Sequence, residues 1–156
     1  GRKLRFGIRG SIPVAGDFNG DGKWEIGVFK DGKWFIDLND NGVWDTGDLW
    51  AKLGHAGDKP VTGDRDGDGK TDLAVYRPST GTWYVLLSST NHTVFLQQQW
   101  GLSGDMPVPA DYDGDRRTEL AVWRPSTGIW YLLKSSTNFT VFDAMQWGLS
   151  GDIPIP

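Results

Sequence analysis

The chain has 156 residues, a formal net charge of −4 and no cysteine. Its length fits one domain with its own core, and nine tryptophans within a 13% aromatic share argue against disorder. The acidic balance argues against a nucleic-acid partner, the lack of cysteine excludes disulfides and thiol chemistry, and no apolar stretch is long enough to span a membrane. No signal-peptide pattern opens the chain, so an exported protein would appear here as a mature segment.

A repeat of 47 residues organises the chain. Asp17, Asp64 and Asp111 begin the similar stretches "DFNGDGKWE", "DRDGDGKTD" and "DYDGDRRTE" at this spacing. We therefore predict a single repeat array over residues 1–156. Its parts are the end of a preceding unit (1–10), three units (11–57, 58–104 and 105–147) and the start of a further unit (148–156).

Each unit predicts four short strands. In chain order, the third unit gives "MPVPAD", the acidic loop, "ELAVWR", "IWYLLKS" and "TVFDAMQW", with the turns "PSTG" and "STN" between the later strands. Leu120 and Val122 alternate with Ala121 and Trp123, as the two faces of a strand require. No stripe of helical spacing is present. The pattern predicts an all-β protein made of β-propeller blades, each with four antiparallel strands.

The units resemble FG-GAP/VCBS repeats, the integrin-alpha-like propeller blades also found in bacterial exported proteins. The resemblance rests on "DRDGDGKTDLAVYRP", "STGTWY" and "WGLSGDMPVP" and extends over essentially the whole chain. It implies that the acidic loop joins the first two strands of each blade and binds calcium. It also implies a secreted or cell-surface location.

The three acidic loops offer oxygen ligands at alternate residues, as a calcium site requires. Counting the first aspartate as position 1, side chains stand at positions 1, 3, 5 and 9, and a backbone carbonyl stands at position 7. The predicted ligands are Asp17, Asn19, Asp21, Lys23 and Glu25; Asp64, Asp66, Asp68, Lys70 and Asp72; and Asp111, Asp113, Asp115, Arg117 and Glu119. The third loop has Arg116 where the others have glycine, which predicts a salt bridge or a weaker site.

Other interpretations of these loops are a solvated acidic turn or a different ion. One isolated loop would fit a solvated turn, whereas three copies in one phase favour a metal. Magnesium would need a tighter octahedron with retained waters, and zinc is disfavoured because only His55 and His92 are available.

"DLNDNGVWDTGD", residues 37–48, is a second kind of candidate loop. Its oxygens fall at positions 1, 3, 5, 7, 9 and 12, as in an EF-hand loop, although aspartate replaces the usual glutamate at position 12. The predicted ligands are Asp37, Asn39, Asn41, the carbonyl of Val43, Asp45 and Asp48. The alternative is a plain Asn/Asp-rich hairpin turn. With this loop, 15 of the 20 acidic residues lie in candidate sites. Bound calcium would therefore stabilise the fold in place of disulfides, which a chain without cysteine cannot form.

The function expected from the sequence is not enzymatic. No "GxSxG" or "HExxH" motif is present, and carboxylates that recur in every unit suit metal ligation better than one active site. We expect a calcium-stabilised extracellular module with a structural, adhesion or protein-interaction role. The alternative is a glycan-binding, lectin-like propeller. Its candidate aromatic residues, which inter-blade packing also explains, are Trp83, Tyr84, Trp100, Trp130, Tyr131 and Trp147.

Three blades do not close a propeller, so partners are expected. They are other copies of the chain in a six- or nine-bladed ring, or further blades of a longer array, together with a protein or glycan ligand; membrane insertion is not expected. Asn91 and Asn138 match the N-glycosylation pattern, with an Asn-containing turn as the alternative. Asp58, Asp105 and Asp152 each follow a glycine and are expected to cap backbone amides in a turn.

Overall fold

The computed structural model describes residues 6–156, so the first half of the predicted 1–10 segment lies outside the described residues. The described residues form twelve strands and two 3-10 turns. The strands are β1 (Ile12–Gly16), β2 (Glu25–Lys30), β3 (Lys33–Ile36), β4 (Leu49–Lys52), β5 (Lys59–Pro60), β6 (Leu73–Arg77), β7 (Thr82–Leu86), β8 (Phe95–Gln99), β9 (Met106–Pro107), β10 (Leu120–Arg124), β11 (Ile129–Leu133) and β12 (Phe142–Gln146). The 3-10 turns are η1 (Ser88–Thr90) and η2 (Ser135–Thr137). Neither turn comes near the length of a membrane-crossing helix, and residues 6–156 hold no other helix. The prediction of an all-β protein is confirmed.

The strands form three four-stranded antiparallel sheets: β1-β2-β3-β4, β5-β6-β7-β8 and β9-β10-β11-β12. Strands that follow each other along the chain are neighbours in the sheet, as in a meander. The second and third sheets share one register, since Leu73 pairs with Leu86 as Leu120 pairs with Leu133. The predicted antiparallel units of four strands are therefore confirmed.

The turn residues explain where the strands stop. In "PSTG", the amide of Gly81 donates to the carbonyl of Arg77 at 2.9 Å, and Gly81 has a φ of +65°. A Cβ on Gly81 would lie 2.3 Å from the carbonyl oxygen of Gly101, so only glycine fits at this hairpin. In "STN", η1 ends at Asn91, which has a φ of 54° and donates its amide to Ser88.

Alternating side chains of β6, and likewise of β10, enter two different cores. On β6, Leu73 and Val75 pack into the core shared with the first sheet, and Ala74 and Tyr76 pack into the core shared with the third sheet. The sheets are thus stacked face to face, with Trp34 and Trp83 fully buried between them. Burying an aliphatic or aromatic side chain of this size contributes about 1.5–3 kcal/mol, so these two cores hold the array together.

Candidate metal sites at the acidic loops

The three acidic loops lie where the sequence places them, between the first and second strands of each sheet. They connect β1 to β2, β5 to β6 and β9 to β10. In the second sheet, an isolated antiparallel bridge between Gly63 and Asp72 closes the base of the loop. Each loop therefore lies between two strands that pair with each other in the same sheet.

The aspartate at position 1 folds each loop around itself. The two carboxylate oxygens of Asp64 accept the amides of Gly67 at 2.7 Å and Gly69 at 2.9 Å. Asp17 and Asp111 cap their own loops in the same way. A carboxylate has about four acceptor positions, so these bonds leave it able to bind a cation as well.

Arg116 replaces glycine in the third loop without changing this fold. It adopts a positive φ of 69°, and its amide donates to Asp111 at 2.9 Å. No ion pair involves Arg116 within residues 6–156, so the salt bridge considered from the sequence is not observed there.

Carboxylate oxygens converge in all three loops. In each of three groups, one oxygen per residue lies within 4.8 Å of the corresponding oxygen of every other member. The groups are Asp17, Asp21 and Glu25; Asp64, Asp66 and Asp72; and Asp111, Asp113, Asp115 and Glu119. Bonds of about 2.4 Å to calcium would place oxygens on opposite sides of the ion about 4.8 Å apart. The spacing and the all-oxygen donor set therefore fit a hard cation such as calcium.

The other predicted ligands lie beside these groups. Asp68 is outside the second group and accepts the amide of Lys70 at 2.8 Å. Asn19 accepts the amide of Asp21 at 2.8 Å, and its own side-chain amide donates to the carbonyl of Leu38 at 3.2 Å. The side chain of Arg117 points away from its loop, because its Nε donates to the carbonyl of Arg65 in the preceding unit at 2.9 Å.

Burial makes the loop carboxylates costly to ionise without a cation. Asp72 is fully buried, and desolvation raises its pKa although the amides of Ser88 and Arg65 lower it. Desolvation likewise raises the pKa of Asp64, with a smaller contribution from the negative charges of Asp68 and Asp66. Desolvation also raises the pKa of Glu25. A bound divalent cation would remove this penalty.

The loop at residues 37–48 lies between β3 and β4 and is closed by its own hydrogen bonds. Buried Asp37 accepts the amides of Asn41 at 3.2 Å and Gly42 at 2.7 Å. The carboxylate of Asp45 accepts the side-chain amides of Asn39 and Asn41, and its pKa is lowered by the amide of Gly47 and then by these side chains.

At the end of this loop, Asp48 accepts the amides of Leu38 at 3.1 Å and Asp45 at 2.8 Å. Within the part of the chain that the structure describes, no converging carboxylate group includes residues 37–48. These internal hydrogen bonds fit the Asn/Asp-rich turn, which is the alternative to a calcium site in this loop.

Serines of the "SST" turns contact the acidic loops, which the sequence analysis did not predict. The hydroxyl of Ser88 donates to Asp72 at 2.8 Å, and that of Ser89 donates to Asp66. Ser135 and Ser136 make the equivalent contacts in the third sheet. The available signal was "SSTN", which recurs at one phase in the second and third units and is missing from the first.

Neighbouring loops are also bonded to each other. The amide of Thr71 donates to the carbonyl of Asp17 at 2.7 Å, and the amide of Thr118 donates to the carbonyl of Asp64 at 2.6 Å. The three loops therefore form a continuous row along one side of the stacked sheets.

The Gly-Asp turns cap backbone amides as predicted and also hold an arginine. Asp58 accepts the amide of His55 at 3.1 Å and two hydrogen bonds of 2.9 Å from the guanidinium of Arg77. Arg77 also donates to the hydroxyl of Tyr84 at 2.8 Å. The third sheet repeats this cluster with Asp105, Arg124 and Tyr131. Because both carboxylates are buried and doubly bonded, these clusters have a structural role.

The fold and these loops define an all-β repeat protein in which each sheet carries a candidate site for a hard cation. Residues 64–122, which run from the second acidic loop into β10, match the model of the FG-GAP-like repeat. This part of the chain is therefore similar to an FG-GAP-like repeat, as its motifs predicted. It has no significant similarity to a curated protein or to a solved structure.

Proposed function

We propose that this chain is a calcium-stabilised β-propeller segment that acts outside the cell as a structural, adhesion or protein-interaction module. The observation that carries the proposal is the convergence of Asp111, Asp113, Asp115 and Glu119 within 4.8 Å. Four carboxylates this close repel one another, whereas with calcium the free energy of binding becomes free energy of folding. The same chemistry recurs in every unit, so the proposal includes no catalytic role.

Thermal unfolding with and without calcium tests this function. Calcium at a free concentration of 100 times its Kd adds about 2.7 kcal/mol per site to the free energy of unfolding. For a chain of this size, Tm rises by about 2–4 °C per kcal/mol, which gives roughly 5–11 °C per site. We expect Tm to rise by this amount on adding calcium and to fall on adding a chelator. Equal stabilisation by sodium, or no change with a chelator, would exclude the proposal, and equal stabilisation by magnesium would change the ion.

Two variants localise the effect. Glu119→Gln should lose one site's share of the calcium-induced rise, since Glu119 is a buried member of the third group. Asp143→Asn is the matched control, because Asp143 is exposed on β12, outside the acidic loops, and forms an ion pair with Lys134. Asp45→Asn should leave the rise unchanged if residues 37–48 form a self-capped turn, and should reduce it if they bind calcium.

The exposed outer faces of the array support further blades as partners. Trp147 and Ile153, beyond the third sheet, are 80% and 81% exposed. At the two internal junctions, Thr71 packs on Gly16 and Thr118 packs on Gly63. On the outer faces, Trp24 stands at the position equivalent to Thr71 and Thr118, and Ala110 stands at the position equivalent to Gly16 and Gly63. Both residues are larger than their internal counterparts.

This difference in size favours a further, non-identical unit over a second copy of the chain, because Trp24 of one copy would meet Ala110 of the next. Light scattering tests the preference. A monomer at micromolar concentration supports it, and a stable ring of two or three chains contradicts it.

Glycan binding is a second candidate function, supported by a surface cavity between the second and third sheets. The cavity has a volume of about 340 Å³ and is lined by Trp100, Tyr131, Phe142, Gln99 and Arg124, among others. The rings of Trp100 and Phe142 lie 5.2 Å apart. Aromatic faces of this kind can stack on a sugar while the amide of glutamine bonds its hydroxyls.

A glycan array separates the two functions. Binding that is lost in Phe142→Ala but kept in Glu119→Gln would establish a lectin. No binding by the calcium-loaded chain would leave the cavity aromatics with a packing role.

A further inference from the structure

We propose that Ser88, Ser89, Ser135 and Ser136 are positioning residues for calcium, and that they make the second and third acidic loops tighter sites than the first. Their hydroxyls hold the loop carboxylates in the orientation in which their oxygens converge. This inference rests on the proposed calcium function and names the residues that set its affinity.

In the second sheet, the "SST" turn after β7 reaches back to the loop before β6. The hydroxyl of Ser88 donates to Asp72 at 2.8 Å, and both carboxylate oxygens of Asp68 lie 3.2 Å from the same hydroxyl oxygen. The amide of Ser88 also bonds Asp72 at 2.8 Å, and the hydroxyl of Ser89 bonds Asp66. The turn thus contacts the carboxylates at positions 3, 5 and 9 of the loop.

The third sheet repeats these contacts with a different residue at position 9. The hydroxyl of Ser135 donates to Glu119 and lies 2.9 Å from a carboxylate oxygen of Asp115, and Ser136 donates its hydroxyl to Asp113. Glu119 is one methylene longer than Asp72, yet the same serine bonds it. The arrangement therefore belongs to the turn and not to one particular carboxylate.

The first sheet lacks this arrangement. Residues 37–48 take the place of the "SST" turn, and Asn39 directs its side-chain amide to Asp45 at 3.1 Å. Glu25 accepts only the amides of Phe18 at 2.8 Å and Asn19 at 3.2 Å. Within residues 6–156, no hydroxyl donates to Asp21 or Glu25, so these two carboxylates are less constrained.

Hydrogen bonds to a metal-binding carboxylate act on the metal because they fix the orientation of the ligand. Losing such an outer partner costs about 10- to 100-fold in metal affinity. The serines at the exposed position of each turn, Ser89 and Ser136, are the best test sites, because removing their hydroxyls leaves the buried contacts of Ser88 and Ser135 in place.

The experiment compares Ser89→Ala/Ser136→Ala with Ser89→Thr/Ser136→Thr, which keeps both hydroxyls. The matched control is Ser103→Ala/Ser150→Ala, since these serines are exposed and lie outside the acidic loops and their partners. Calcium affinity is measured by titration calorimetry on the whole chain, and Tm is measured in chelator and in calcium.

We expect the alanine pair to weaken calcium binding about 10- to 100-fold at two sites, with Tm in chelator close to that of the control. The threonine pair should restore the affinity. Unchanged affinity in the alanine pair would overturn the inference, as would equal losses of Tm in chelator and in calcium. If the unmodified chain binds no calcium, the proposed function fails as well, and this outcome is distinct from normal binding that is insensitive to the serines.

Discussion

Gly63→Ala tests how closely the acidic loops of neighbouring units are packed. A Cβ at Gly63 would lie 2.6 Å from Oγ1, 2.7 Å from Cγ2 and 2.9 Å from Cβ of Thr118. The two segments cannot simply separate, because the amide of Thr118 donates to the carbonyl of Asp64 at 2.6 Å. Gly63 is not among the residues with positive φ, so alanine adds no backbone strain and the destabilising part of the effect comes from this contact.

The expected cost follows from two opposing terms. Overpacking at such a contact costs about 1–3 kcal/mol, and replacing glycine with alanine returns about 0.4–1 kcal/mol by restricting the unfolded chain. The net loss is roughly 0–2.6 kcal/mol. At about 2–4 °C per kcal/mol, Tm should fall by up to roughly 10 °C.

A double-mutant cycle decides whether the contact is the cause. Thr118→Ala removes Oγ1 and Cγ2, so Gly63→Ala should cost less in that background, with a coupling energy of about 0.5 kcal/mol or more between the two sites. Chemical denaturation of the four proteins in calcium gives this energy. Strictly additive effects would refute the packing argument, because they would show that residues 63 and 118 act independently.

Three further predictions concern charge and burial. In chelator, the free energy of unfolding should rise as pH falls from neutral towards the ordinary pKa values of aspartate and glutamate. Burial raises the pKa of Glu25, Asp64 and Asp72 above the ordinary values of 4.5 for glutamate and 3.8 for aspartate, so the folded chain takes up protons before the unfolded chain does. Asp72→Asn should flatten this dependence in denaturation experiments, and an unchanged slope would count against it. Arg124→Ala should cost about 3–5 kcal/mol because it leaves buried Asp105 without its cation. Lys134→Ala should change stability far less, because its pair with Asp143 is largely exposed, and equal losses would contradict this reasoning. Trp83→Ala should cost about 3–5 kcal/mol, because Trp83 is fully buried between sheets. Trp147→Ala should change stability by about 0.5 kcal/mol or less, because Trp147 is 80% exposed. Similar Tm values for the two variants would argue against the stacked cores.

The sequence predicted the features that depend on local spacing. Apolar alternation gave the buried strands such as β6, and "PSTG" marked the hairpin between β6 and β7. The 47-residue phase placed the acidic loops between the first two strands of each sheet. These features depend on residues that are close to each other along the chain, so they can be predicted from a single sequence.

Contacts between distant segments could not be predicted in this way. Ser89 and Asp66 are 23 residues apart, and nothing in either segment alone shows that the "SST" turn folds back onto the loop. The bond between Arg77 and Asp58 likewise depends on the pairing of β5 with β6. Arg116 was expected to form a salt bridge or weaken its site, yet its backbone takes the positive φ of the glycine it replaces.

Under the proposed function, the row of loops would give calcium a role beyond each single site. Asp64 offers its side chain to the proposed ion of the second loop and its carbonyl to Thr118 at the entrance of β10. Asp17 does the same for its own loop and Thr71 at the entrance of β6. An ion that fixes one aspartate therefore also fixes the acceptor that holds the next sheet. Calcium bound in one loop should stabilise the junction between two sheets, which is where the largest apolar side chains of this chain are buried.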